Sequence, residues 1–160
     1  MSESLRSRLR RWGFNFFPAY RGTGARITYL ADDFREVRIR LPLNWRTRNY
    51  VGTIFGGSMY AAVDPIYMIM LIQNLGPNYV VWDKSARIRF RRPGRGVLTA
   101  RFLLDQQEID AVRAAVDDGG RADREYLVEL RNADGEVCAE VEKVVHVADK
   151  ARWKARARSG

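Results

Sequence analysis

Between residues 53 and 73 the chain carries its longest mainly apolar run. Apolar side chains fall all round the helical circumference, which predicts a helix wrapped by other structure rather than one lying on a surface. Gly56 and Gly57 open the run, and Leu75, Gly76 and Pro77 close it with a glycine-then-proline stop. One carboxylate, Asp64, lies inside it, followed by Pro65, which withholds a hydrogen bond from the Ala61 carbonyl and kinks the helix there. Elsewhere the period is two. Residues 25–30 and 36–41 alternate about the turn at Ala31, Asp32 and Asp33 and predict a hairpin. Residues 79–90 alternate with Trp82, Lys84, Ala86, Ile88 and Phe90 on one face and Val81, Asp83, Ser85, Arg87 and Arg89 on the other. Further strands are expected at 97–104, 125–130 and 137–147, the last two joined by the turn at 132–135. Asp105 and Glu108 start a short helix to about residue 116, and 117–120 form a loop. At the N-terminus Leu5, Leu9, Trp12 and Phe16 recur at helical spacing between arginines. That amphipathic helix is expected to fold back over the core, contact with anionic lipid being the alternative. The pattern is α+β: an antiparallel sheet of about six strands wrapped around one long central helix.

With 160 residues, of which 46% are hydrophobic, the chain can bury one core without a disulfide or metal. It divides into an N-terminal helix and linker (1–24), a single domain (25–148) and a basic tail (149–160), expected to be mobile at its tip. Cys138 is the only cysteine and His146 the only histidine, which excludes an internal disulfide and a Cys/His zinc site. No apolar stretch follows the N-terminal arginines, and no uninterrupted apolar run is long enough to span a bilayer, so a cytoplasmic protein is expected. The formal charge is +9, but residues 1–12 hold four arginines against Glu3 and residues 149–160 hold five basic residues against Asp149. Only +2 is left on residues 13–148. The charge therefore concerns surface encounters at the ends, and no aromatic-basic motif of a nucleic-acid module accompanies it.

The order of elements and several motifs resemble the hotdog fold of acyl-CoA thioesterases. Phe55, Gly56 and Gly57 followed by Asp64 are similar to the His-Gly-Gly then Asp pattern of the phenylacetyl-CoA thioesterase-like branch, at the same spacing. Residues 87–96 resemble the strand and turn after that branch's central helix, and 134–139 its last hairpin. Residues 49–65 together with 81–86 look most like the hotdog group called domain of unknown function 4442. The resemblance covers residues 25–147. It implies homodimers, and in some cases tetramers, whose sheets join, with two sites at the subunit interface. It implies as substrate a small-molecule acyl thioester, with coenzyme A as part of the substrate and no separate cofactor. One position departs: the family histidine is Phe55 here, whose ring neither hydrogen-bonds a thioester carbonyl nor orients a water.

On this reading Asp64, surrounded by Ala61, Ala62, Val63, Ile66 and Tyr67, is a poorly solvated general base or nucleophile. The Gly57 N–H at a helix N-terminus polarises the carbonyl. Asp-Pro is equally a helix start, so Asp64 has N-capping as its structural alternative. Asn49 is a candidate to do part of the missing histidine's work, or else an ordinary turn residue. Phe55, Gly56, Ser58 and Tyr60 are expected to contact substrate, and Tyr67, Met59, Met68 and Met70 either line an acyl tunnel or fill the core. Lys84 is expected to reach Asp64 or Asp83, or to snorkel to solvent. Arg89, Arg91 and Arg92, with Arg87 and Arg95, suit coenzyme A phosphates or form a solvated strand face. The alternative function is non-catalytic acyl or acyl-CoA binding on the same fold.

Overall fold

The computed structural model describes residues 3–158. Two helices, α1 (Leu5–Phe16) and α2 (Pro18–Gly22), precede a hairpin of β1 (Arg26–Leu30) and β2 (Glu36–Pro42). The apolar run forms α3 (Gly56–Val63) and α4 (Ile66–Leu75). Then come β3 (Tyr79–Phe90), β4 (Val97–Leu103), α5 (Gln106–Gly119), β5 (Arg121–Arg131), β6 (Val137–Asp149) and α6 (Lys150–Arg158). The strands make one six-stranded antiparallel sheet in the order β1-β2-β4-β5-β6-β3, which leaves β3 as an edge.

The single long helix is in fact two. Pro65 has no N–H for the preceding turn, so the ladder is interrupted at Asp64. Asp64 nevertheless keeps right-handed helical angles (φ −49°, ψ −54°), and the axis bends instead of stopping. Gly76 ends α4 at φ 92°, a value that favours glycine. The sheet covers one side of the pair: Met59, Ala62, Val63, Ile66, Tyr67, Met70 and Leu71 join Leu41, Leu98, Phe102, Val141 and Val145 in the core. The other side, with Tyr60, Ala61, Met68 and Ile69, is only half-buried and faces α1 and α2 across a cavity.

α1 folds back over the hairpin as expected, with its other face inward. Ser7 is buried, Phe14 packs on the core, and Asn15 exchanges hydrogen bonds with the backbone of Ile27 at 2.8 and 2.9 Å. Leu5, Leu9, Trp12 and Phe16 all point to solvent. At the other end, the helical insertion runs three residues past residue 116 and takes in most of the expected loop. It ends where Gly120 adopts φ 74°. The basic tail continues as α6, whose Trp153 rests 4.7 Å from the Trp82 ring. Among the described residues no helix is long and apolar enough to cross a membrane.

The departure that matters most is in β3. Its register against β6 slips between Asp83 and Ser85, with Lys84 as the extra residue of a bulge. Before the slip Trp82 faces His146 and Asp83 faces Val145; after it Ala86 faces Lys143 and Ile88 faces Val141. Opposed residues share a sheet face. Trp82 and Lys84 therefore leave the face of Ile88 and Phe90, where unbroken alternation puts them, and Asp83 joins it.

Candidate active site

Asp64 sits at the bend between α3 and α4, and its carboxylate does not cap α4. Its Oδ1 instead accepts from the Tyr60 hydroxyl, one turn earlier, and from the Lys143 ammonium on β6, both at 2.7 Å. Lys143 also donates to the Asp64 carbonyl at 2.5 Å and meets Asp83 Oδ2 at 2.9 Å. The Lys143 side chain is fully buried, and these oxygens take the place of the water it has lost. Asp83 Oδ1 is buried without a hydrogen-bond partner. Burial holds the Asp83 carboxyl above the ordinary carboxylate range, against the pull of Lys143 and with a push from Asp64. Burial, together with the Asp64 carboxylate, also pushes the Tyr60 hydroxyl up, so it stays a donor.

Asp64 itself is only partly desolvated: its side chain is 41% exposed, against the poor solvation expected within an apolar helix. The bend turns it out of the core into the cavity between α3–α4 and the N-terminal helices. Among the described residues nothing donates to Oδ2. The cavity measures about 760 Å³ and its wall is mainly apolar, with Phe14, Phe17, Tyr20, Ile27, Phe34 and Ile69 around Asp64 and Tyr60. That volume lies within the range of small-molecule pockets. Tyr20 is fixed by donating to the Ala62 carbonyl at 3.1 Å. Tyr60, expected to contact substrate, and Met68, of the expected tunnel residues, line this space. Tyr67, stacked 4.4 Å from Tyr126, belongs to the core with Met59 and Met70.

Gly57 lies at the other end of α3. It is exposed, and α3 has no side-chain cap. The N–H groups of Ser58 and Met59 reach the Phe55 carbonyl, while among the described residues the Gly57 N–H has no acceptor. Asp64 follows Gly57 by seven positions, about 10 Å along the helix axis. Within one chain the two cannot meet on one carbonyl. The glycines also have a packing reason: a Cβ at Gly56 would lie 2.8 Å from the Phe90 ring, and one at Gly57 only 2.3 Å from the ring of Phe55.

The remaining candidates are not brought to Asp64. Asn49 orders its own loop, its oxygen accepting from the N–H groups of Val51 and Thr53 and its amide donating to the Thr53 hydroxyl at 2.9 Å. Ser58 is half-buried in the first turn of α3. Lys84 pairs with Asp123 at 2.5 Å instead of Asp64 or Asp83, because the bulge turns it to the opposite sheet face. Arg89, Arg91 and Arg92 pair with Glu142, Glu140 and Glu136 at 3.2, 2.7 and 3.4 Å. Arg89 stands on the sheet face away from Asp64, and Arg91 turns to Glu140 on that same face. The cation that does reach Asp64 is Lys143, which was not singled out from the sequence. Its signal is its place in line with Ala139, Val141, Val145 and Val147, a lone lysine in an apolar strand register.

Residues 6–147 match the family described as Domain of unknown function (DUF4442). The chain belongs to the DUF4442 family. A search of curated proteins finds none that matches. Among solved structures, this DUF4442 chain is similar to a Pseudomonas aeruginosa protein of unknown function described as a probable thioesterase. The two share 22% identity over 92% of this chain and 98% of that one, with a TM-score of 0.79. A Chlorobaculum tepidum protein of unknown function is 15% identical over 91% and 95% of the two chains, with a TM-score of 0.72. A thioesterase of Haemophilus influenzae is 16% identical over 93% of each chain, with a TM-score of 0.64. At these identities the likeness establishes the hotdog fold, α+β with its six-stranded antiparallel sheet.

Proposed function

We propose that the protein is an acyl thioesterase whose site forms between two copies of the chain. The observation that carries this reading is a carboxylate on a residue lining an apolar cavity of about 760 Å³, held at one oxygen by Tyr60 and Lys143 and with no donor to the other among the described residues. The thioesterases among its structural neighbours support the reaction class. The acyl chain occupies the cavity, and the thioester carbonyl lies at its mouth. Asp64 Oδ2 takes a proton from water as the oxygen attacks the carbonyl carbon; the C–O bond forms, the C–S bond breaks, and the proton passes to the departing thiolate of coenzyme A. Lys143 and Tyr60 position the carboxylate. The oxyanion falls to the free Gly57 N–H of the second copy, since within one chain that amide is about 10 Å away.

Two features support a second copy. β3 is a twelve-residue edge with an unpaired backbone row, and edges of this kind pair with further strands. Phe90 at its end is exposed, as are Trp45, Tyr50, Val51 and Phe55. The test is Asp64→Asn, assayed by thiol release from an acyl-CoA panel with oligomer mass from light scattering. The expected loss of turnover is about a hundredfold or more at unchanged mass; full activity sinks the mechanism. Phe55 favours a second reading, acyl-CoA binding without hydrolysis. Tight binding by the wild-type protein with no turnover on any thioester selects it.

A further inference from the structure

The outward face of α1 is used by neither the sheet nor the cavity wall opposite Asp64. Leu5, Leu9, Trp12 and Phe16 are 72, 66, 54 and 56% exposed. At 3.6 residues per turn they fall within about 60° of arc, one straight ridge. The rings of Trp12 and Phe16 stack at 5.6 Å, so the ridge presents a continuous apolar surface. Arg6 and Arg8, both exposed, flank it on either side. Of the nearby carboxylates Glu3 is half-buried, while Asp32 is exposed and close enough to Arg10 and Arg6 to feel their charge. Glu3 holds Arg11 at 2.8 Å and accepts from the Leu30 N–H, and Asp32 accepts from the Ser4 and Ser7 hydroxyls. The face is thus apolar along its centre and cationic along its sides. It is also held in place from behind by Ser7, Phe14 and Asn15.

We propose that this face of α1 docks the protein on an anionic lipid bilayer. Leucine and aromatic side chains enter the acyl boundary while the flanking arginines meet the headgroups, the arrangement of an interfacial helix. A second copy of the chain fits the face less well. A two-fold contact sets the same patch against itself, and a patch flanked by cations offers its copy no acidic flank to pair with, Glu3 being engaged by Arg11 and Asp32 by Ser4 and Ser7. The proposal does not depend on thioester hydrolysis.

The test is co-sedimentation of the full chain with vesicles of equimolar phosphatidylcholine and phosphatidylserine, and with phosphatidylcholine alone. Binding to the mixed vesicles is expected to be about tenfold or more tighter and to weaken as salt rises. Leu9→Glu with Trp12→Glu is expected to lower it at least about tenfold, with the melting temperature unchanged because both positions face solvent. Arg6→Gln with Arg8→Gln, which leaves the ridge intact, is expected to weaken binding to the mixed vesicles and flatten the salt dependence. Absence of binding to the mixed vesicles overturns the proposal, as does undiminished binding by both double variants. A fall in oligomer mass in Leu9→Glu/Trp12→Glu, with no vesicle binding by wild type, assigns the face to a second copy instead.

Discussion

Two charged clusters stand back to back on β3 and β6. On the inner face one cation, Lys143, lies between two carboxylates, Asp64 and Asp83. On the outer face one carboxylate, Asp123, lies between two nitrogen bases, Lys84 and His146, both at 2.5 Å. The clusters are near inversions of each other, yet only the inner one has the features of a site. His146 is buried beneath aromatic rings, 4.3 Å from Trp82, with Trp153 of α6 beyond. Asp64 lines a cavity, and among the described residues one of its oxygens has no donor. Close ionic contact alone does not mark chemistry; a group left unpaired at the edge of an apolar space does. The bulge at Lys84 sorts the residues, sending Asp83 inward and Lys84 outward.

The strongest way to break the contrast is Lys143→Met. The methionine keeps the length and apolar packing but removes the ammonium from two carboxylates. Removing one partner of a buried pair costs about 3 kcal/mol at the low end, the appropriate end because Asp64 remains partly exposed. Urea denaturation is expected to show that loss at neutral pH, with thioester hydrolysis lost alongside it as Asp64 drifts. A variant as stable and active as wild type would make the inner cluster as incidental as the outer one.

How much of this was legible beforehand differs by element. The six strands and the apolar helix follow from periodicity, and β3 runs from 79 to 90 as its alternation predicts. The break at Asp64 and Pro65 follows from proline chemistry. The faces of β3 were not legible, because a bulge adds one residue without altering the local pattern of side chains and inverts everything before it. The inversion carries over to the site: the lysine that stands on the apolar face and reaches Asp64 and Asp83 is Lys143, not Lys84. Likewise the α1 stripe predicts a helix but not which way it faces. Phe14 and Ser7 take the inward side, because the hairpin below offers the Ile27 backbone to Asn15 and the Asp32 carboxylate to Ser7.

A smaller change sharpens the inner cluster without dismantling it. Tyr60→Phe removes one of the two donors to Asp64 Oδ1 and leaves Lys143 in place. The expected stability loss is about 1 kcal/mol, that of one hydrogen bond to a charged group that is partly hydrated. Turnover is expected to fall several-fold while KM changes little, since the ring still lines the cavity and only the carboxylate's orientation loosens. A change in KM alone would assign the Tyr60 hydroxyl to substrate binding and leave Lys143 as the sole positioning group.

The smallest effect belongs to the outer cluster. Lys84 first, and then His146, hold the Asp123 carboxyl below its ordinary range. A depressed folded-state value means that the pairing stabilises the protein above the unfolded carboxylate value, about 3.9, and that this stabilisation is lost as pH falls through the folded one. Asp123 and Lys84 are 39 and 54% exposed, so solvent screens the pair and the contribution is under about 1 kcal/mol. Melting temperatures of wild type and Asp123→Asn are expected to differ slightly at neutral pH and to converge as pH falls below about 4. Thioester hydrolysis is expected to be equal in both, because Asp123 lies on the sheet face away from Asp64. Lost turnover in a stable Asp123→Asn protein would erase the distinction between the two faces. Equal turnover leaves the anchored carboxylate on the cavity, rather than the density of charge along β3 and β6, as the feature that identifies the site.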